Sequence, residues 1–575
     1  MKGFLKITVL CFVAGVSVLL CKSSLYAQPT GSIIDSKHNL SVSGPGTIKA
    51  IFETRVCIFC HAPHHARTDI SLLWNRQDST TTYVPYQSST MYATVGQPTG
   101  SSKLCLSCHD GTIALGALVS SSQEIAFAGG VRFFPDIASK LGTDLSDDHP
   151  ISFVYDSNLA LSNVELEQPL SLPAHISLDN NQQLQCTTCH DPHDNTYGDF
   201  LVMTNASSAL CTSCHIKNGW TSSSHALSSA TWNGTGSNPW PGSAYFTVAE
   251  NGCTNCHTPH SAAGHERLLQ YVFEEDNCLV CHNGNVAGID MEAEFGKFFK
   301  HAVQNYTGLH EPLEDFTSGT VPNHVECADC HNGHWTNANA SPAAPAVSGA
   351  IEGVSGVNML GQFITVSANE YEICFKCHAD NNVTTVFSID RQIQQLNTRS
   401  EFEASNPSFH PVAVQGVNMN VPSLIPPLTT ASIIFCTDCH NNDNLSGPRG
   451  PHGSNNEYLL ERNYTTQDNT SESPTSYALC YKCHDRNSIL ANESFSGHNS
   501  HIVTYQAPCS TCHDAHGISV TQGNALNNSH LINFDVTSVQ PEQGGGGIRF
   551  DDTGIFSGQC SLYCHASNHN NRPYP

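Results

Sequence analysis

Twelve clusters of two cysteines and one histidine dominate this sequence. Eleven read Cys-x-x-Cys-His. They are Cys57, Cys60 and His61; Cys105, Cys108 and His109; Cys186, Cys189 and His190; Cys211, Cys214 and His215; Cys253, Cys256 and His257; Cys278, Cys281 and His282. The series continues with Cys327, Cys330 and His331; Cys374, Cys377 and His378; Cys436, Cys439 and His440; Cys480, Cys483 and His484; Cys509, Cys512 and His513. The twelfth cluster, Cys560, Cys564 and His565, holds one extra residue between its cysteines. On a helical turn, positions i, i+3 and i+4 share one face. Two thiols so placed can bond the vinyl groups of one porphyrin while the imidazole reaches the iron, which is the attachment chemistry of c-type haem. Twelve haem c groups are therefore expected, the last retained because Cys564 and His565 stay adjacent.

Other uses of cysteine fit less well. The motifs take 24 of the 26 cysteines, leaving Cys11 and Cys21 in an N-terminal apolar stretch. A disulfide framework needs no histidine after each second cysteine, and neither does a tetrahedral zinc ribbon. A thioredoxin-like redox pair occurs once, beside a βαβ pattern.

The ligand on the far side of each iron decides between electron transfer and catalysis. Of 32 histidines, twelve are proximal by motif, and the rest suffice to give every iron a second imidazole; only six methionines exist. The first motif of a pair is followed, three residues on, by another histidine: His64, His193, His260, His334 and His516, with His452 as the equivalent after an insertion. Such a residue cannot reach the far face of its own haem. It is expected to ligate another haem and draw the two macrocycles of its doublet together. The remaining distal candidates lie upstream of each doublet: His38, His149, His225, His310 or His324, His410 and His501, with His530 competing for the last haem. His65, His175, His265, His301 and His569 are read as surface or propionate-binding residues.

Around these sites the chain is poor in ordinary core. Hydrophobic residues make up 39%, so the macrocycles are expected to supply the missing apolar interior and the haem-free chain to be largely disordered. The expected fold is a haem-cored, mostly irregular chain. It has short α-helices at each motif, and short strands at Ser152–Tyr155 and Gln362–Val366. Ser341–Gly356 and Gln543–Gly547 read as surface loops. Residues 1–27 have the charged start, apolar run and small-residue end of a secretory signal; processing through Cys21 as a lipoprotein is the alternative. No later stretch is long enough to span a membrane. Net charge of −26 disfavours nucleic acid and anionic lipid.

The motifs group into six doublets, giving modules at 28–148, 149–219, 220–300, 301–400, 401–490 and 491–575 in an elongated arrangement. The chain resembles the doubled-CXXCH multihaem cytochromes of metal-reducing and sediment bacteria. The resemblance lies in Lys37–Ser41, Val56–His64, Leu72–Arg76, Ser102–Gly111, Asp148–Ile151, Tyr371–His378, Ala507–Gly517 and Ser529–Asn533. It implies respiratory electron transfer in the periplasm or at the cell exterior, in anaerobic or extracellular respiration. Partners would be other cytochromes or redox proteins, a porin–cytochrome conduit, or extracellular metal acceptors; end-to-end filaments are a variant. The alternative is a nitrite, hydroxylamine or metal reductase with one open haem. Every motif here ends in histidine, which favours an electron carrier over an enzyme.

Overall fold

The computed structural model describes residues 31–574 apart from 71, 305, 319–320, 323, 339 and 381–388. The expected secretory signal at 1–27, with Cys11 and Cys21, lies outside the described residues. Chain contacts divide the protein into two compact units. One comprises the described part of Met1–Gln77 with Ala114–Phe133 and Cys189–Val202; the other comprises Asp78–Ile113, Phe134–Thr188 and the described part of Met203–Pro575.

In the first unit a small apolar centre forms where Phe59 meets Phe127 edge-on, with ring centroids 5.7 Å apart. Arg76 is buried there and donates hydrogen bonds to the carbonyls of Leu115 and Ala114. Asn75 ties the first motif to the same loop, donating to the Ile58 carbonyl at 2.7 Å. Buried polar groups need such partners, and here they stand in for a larger apolar core.

The second unit is also built mainly of turns. Its longest helices are α1 (Gly100–His109) and α2 (Glu370–His378). α2 is capped at its start by Glu372, whose carboxylate accepts from the Asn369 and Ala368 amides while its own amide donates to the Asn369 carbonyl. These amide donors are thereby satisfied. Tyr371 and Phe375 on α2 pack with Val357, Phe402, Val412 and Ala413 in one apolar cluster, against which Cys436 also rests.

Short antiparallel ladders join distant loops. Phe153–Val154 pairs with Gln183–Leu184, and Gly356–Val357 pairs with Phe363–Ile364. These are the two expected strand regions, each shortened. Ser341–Gly356 departs from the expected surface loop, because Val354 and Ser355 are buried where this ladder begins. The largest sheet is C-terminal: β1 (Arg549–Gly554), β2 (Ser557–Cys564) and β3 (Ser567–Tyr574) in antiparallel order, with Val539–Gln540 also pairing with β2.

Eleven motifs lie on helical turns, either α or 3-10, from Cys57–Phe59 to Cys509–Thr511. The twelfth corrects the expectation of a helix at every motif: Cys560 and Cys564 both sit on strand β2. None of the helices among the described residues is long and apolar enough to cross a membrane.

Candidate metal centres

Each motif turn is closed by its own backbone. The amides of His61, His215, His257, His282, His331, His440, His484 and His513 donate to the carbonyl of the first cysteine, four residues back, at 2.8–3.0 Å. That bond holds the two thiols and the imidazole on one face. The imidazole is then fixed from behind. Nδ1 donates to a carbonyl in His61 (Leu72, 2.8 Å), His109 (Ser139, 2.7 Å), His190 (Asp199, 2.8 Å), His257 (Arg267, 2.9 Å), His331 (Ala350, 2.8 Å), His440 (Tyr458, 2.8 Å) and His513 (His530, 2.8 Å). A ring that donates from Nδ1 presents the Nε2 lone pair to a metal, with its tautomer and orientation set.

The sequence reading missed what supplies several of these carbonyls. After the first motif of a doublet the chain returns through an apolar pair: Leu72-Leu73, Phe200-Leu201, Leu268-Leu269, Leu459-Leu460 or Leu531-Ile532. Bridges join its backbone to the proximal histidine, as in His190 with Leu201, His257 with Leu269, His440 with Leu460 and His513 with Ile532. Non-glycine residues adopt positive φ at this corner, among them Leu73, Phe200, Leu268, Leu459 and Leu531. Such residues are uncommon away from turns and special sites. The recurring apolar pair was the available signal.

Nine motif histidines face a second imidazole within their own unit. In the first unit His61 faces His193, with ring centroids 6.2 Å apart. In the second unit the pairs are His215 with His149 (6.3 Å), His282 with His225 (6.2 Å), His257 with His334 (6.1 Å) and His378 with His301 (6.2 Å). The others are His331 with His452 (5.9 Å), His484 with His410 (6.5 Å), His440 with His516 (6.2 Å) and His513 with His498 (6.3 Å). A metal-bound imidazole nitrogen stands about 2 Å from its ion and the ring centroid about 1 Å further, so two imidazoles on one iron have centroids roughly 6 Å apart. The separations fit that requirement. Burial also disfavours the charged form of many of these rings, as suits a ligand. Burial lowers His215, His282, His378, His440, His484 and His513 to about 4, and His334, His452 and His498 to about 3. His516 goes the other way: burial would lower it, but a hydrogen bond to Glu401 raises it.

Several sequence expectations change. The histidine three residues past a motif does not serve its own doublet in these pairs. His193, His334, His452 and His516 each face the first proximal histidine of the preceding doublet, so successive modules interlock. Upstream histidines serve the second motif: His149, His225, His301 and His410. His301, read as a non-ligand, takes the place expected of His310 or His324, which instead gather around Asp329. His498 rather than His501 faces His513. His530 lies 3.4 Å from Asp552. His38 stacks on Phe200 at 4.1 Å and its Nδ1 lies 3.2 Å from the Pro192 carbonyl. His260 lies 3.0 Å from Asp148, and His64 is exposed.

The cysteines show how successive motifs adjoin. Side-chain hydrogen bonds link the thiols of Cys105 and Cys186, Cys211 and Cys253, Cys278 and Cys327, Cys374 and Cys436, and Cys480 and Cys509. Within doublets Cys256 interacts with Cys281, Cys330 with Cys377, Cys439 with Cys483, and Cys512 with both Cys560 and Cys564. These interactions run from motif to motif between Cys211 and Cys564. Motif sulfurs bond haem edges, so groups attached at such junctions have adjoining edges.

The last site is built differently. His565 has a positive φ, its Nε2 lies 2.9 Å from the Asp468 carboxylate, and its ring faces Tyr505. The histidine pair here is His501 with His569, at 6.2 Å. His501 Nδ1 donates to the Gly497 carbonyl at 2.7 Å, and His569 Nδ1 meets the Tyr574 hydroxyl at 2.9 Å. Burial lowers His569 to about 4.

Comparison with known proteins bears on the motifs themselves. Residues 180–219 and 426–488 match the family described as the doubled CXXCH motif, each segment holding two consecutive motifs. No curated protein matches the chain. The match agrees with the paired imidazoles: the chain carries the doubled CXXCH motif, as multihaem c-type cytochromes do.

Proposed function

We propose that this protein is a twelve-haem c-type cytochrome that conducts electrons along its own sequence order, with two imidazoles on each iron. The observation that carries the reading is an imidazole pair of fitting separation at nine motifs, beside motif thiols that influence one another from Cys211 to Cys564. Haem iron held this way exchanges single electrons without gaining or losing a ligand. The chain's own part is to bury the imidazoles, aim Nε2 through an Nδ1 hydrogen bond where one is made, and set neighbouring motifs beside one another. Interlocking of successive doublets fixes that spacing over the length of the second unit.

At the twelfth motif Cys560 and Cys564 would hold the haem and His501 and His569 would supply its imidazoles, with His565 held aside by Asp468. A carrier with no open iron has no place for a substrate at the metal, so the reading is electron transfer rather than reduction of nitrite or hydroxylamine. Partners are redox proteins or extracellular acceptors, and the protein acts after export, in the periplasm or at the outer surface.

Intact mass and low-temperature electron paramagnetic resonance of the protein purified from a cytochrome-maturing host test the reading together. Twelve attached haems with only low-spin ferric signals are expected. A colourless protein, or a stoichiometric high-spin signal, would overturn it.

A further inference from the structure

We propose that His310, His324, Glu314 and Asp329 form a non-haem site for one divalent metal ion of the zinc class, buried beside the fourth doublet. Their side chains are almost wholly enclosed, at 3%, 2%, 11% and 3% exposed. The His310 and His324 Nε2 atoms and Glu314 Oε2 are buried without a hydrogen bond, and Asp329 Oδ1 beside them meets the Lys376 ammonium at 2.9 Å. The ligand atoms of His310, His324 and Asp329 gather in one place, with Glu314 beside His324, and buried polar atoms left without a hydrogen bond are strongly unfavourable unless they share a partner.

Their geometry suits a metal. His310 Nε2 lies 3.4 Å from Asp329 Oδ1, and His324 Nε2 lies 3.3 Å from Glu314 Oε2. Two ligands on neighbouring corners of a tetrahedral zinc, each about 2 Å from the ion, stand roughly 3.3 Å apart. The ligand atoms of His310, His324 and Asp329 all lie within 4.8 Å of one another. The two rings meet near perpendicular, 79° apart, so they approach from different directions.

Each group is also held from behind. His310 Nδ1 lies 2.6 Å from the Glu274 carboxylate, and His324 Nδ1 donates to the Pro322 carbonyl at 2.8 Å. These are the outer partners that orient metal-binding imidazoles. Glu314 accepts the Glu311 amide on its other oxygen, and Asp329 accepts the Glu326 amide on its own. Tyr306 stacks on His324 at 3.9 Å and holds the ring in plane.

Charge points the same way. Glu274, Glu314, Glu326 and Asp329 converge here, and Glu326 Oε2 is buried without a hydrogen bond as well. Lys376 supplies one countercharge, its ammonium 2.9 Å from Asp329 Oδ1. Two imidazoles with two carboxylates suit zinc or ferrous iron, whereas calcium takes six to eight oxygens. These histidines are not needed for haem, since His378 already faces His301.

Zinc binding by the full haem-loaded protein tests the site. The protein is equilibrated with excess zinc chloride and desalted, then assayed for zinc, total iron and haem in the same sample. About one zinc per chain, or about one iron beyond the haem count, is expected. His324→Ala and, separately, Glu314→Gln should lower that metal at least about tenfold with haem content unchanged. Failure of the parent protein to hold either metal at full haem content overturns the site, as does zinc retained in both variants. A shortfall of haem in the same assay would count against the cytochrome reading and leave the zinc result legible.

Discussion

The motif on α2 and the motif on β2 solve one problem with different secondary structure. On α2, Cys374, Cys377 and His378 fall at i, i+3 and i+4, and one face carries both thiols and the imidazole. Tyr371 and Phe375 on the same helix bury that face's neighbours in an apolar cluster. On β2, Cys560 and Cys564 are an even number of residues apart and share a face, but His565 lies past the strand's end, in the turn to β3, with a positive φ. Leu562 lies between the two cysteines on their face, and its cross-strand partner is His569. Cross-strand partners project from the same side of a sheet. The motif with one inserted residue thus lies on a strand rather than a helix, and the histidine on its cysteines' face is His569 of the neighbouring strand.

That contrast can be broken at several points. The largest effects should come from the thioethers. Cys374→Ser with Cys377→Ser should remove one haem by intact mass and interrupt the junction series, slowing reduction of one end of the protein from the other. Cys560→Ser with Cys564→Ser should also remove one haem but leave the remaining series conducting, as stopped-flow reduction would show.

Ligand variants sharpen the comparison next. His378→Ala should create one high-spin haem. At the last site His569→Ala should do the same, while His565→Ala should leave the spectrum low-spin; the reverse result would return the motif histidine to its ordinary role.

Packing follows. Phe375→Ala in the cluster under α2 should cost about 3–5 kcal/mol locally, and Leu562→Ala under β2 about 2–5 kcal/mol. Hydrogen exchange of the two regions would report each loss separately.

The smallest effect is an ion pair. Glu472 accepts two hydrogen bonds from Arg486, at 2.6 and 2.7 Å, and one from Tyr481. The Arg486 hydrogen bond is the main reason its carboxyl sits below the ordinary range. Its stabilising contribution is therefore present above the ordinary carboxylate pKa and fades as pH falls through the lowered value. Glu472→Gln should cost about 0.5–1 kcal/mol at neutral pH, because Arg486 stays partly solvated, and nothing in strong acid. Acid titration of stability in parent and variant checks this.

Local residue spacing was enough to read the attachment sites. Cys-x-x-Cys-His needs only one turn of backbone, so eleven helical turns were legible from i, i+3 and i+4. The two ladders near Phe153 and Phe363 were legible for a similar reason, since alternating apolar residues mark short strands. His193, His452 and His516 stood out as ligand candidates because they recur beside the motifs. Which iron each would serve was not legible: a histidine 132 residues from His61 meets it only through the path of the folded chain, at 6.2 Å.

The sequence by itself determined how many motifs of haem-attachment type the chain carries, because that spacing is a property of a few consecutive residues. The tertiary structure alone decided the pairing of His301 with His378, the facing of His501 with His569, and the gathering of His310 and His324 around Asp329. Those choices depend on which loops meet in space, and no local pattern encodes the approach of two side chains from distant parts of a chain with so little regular structure.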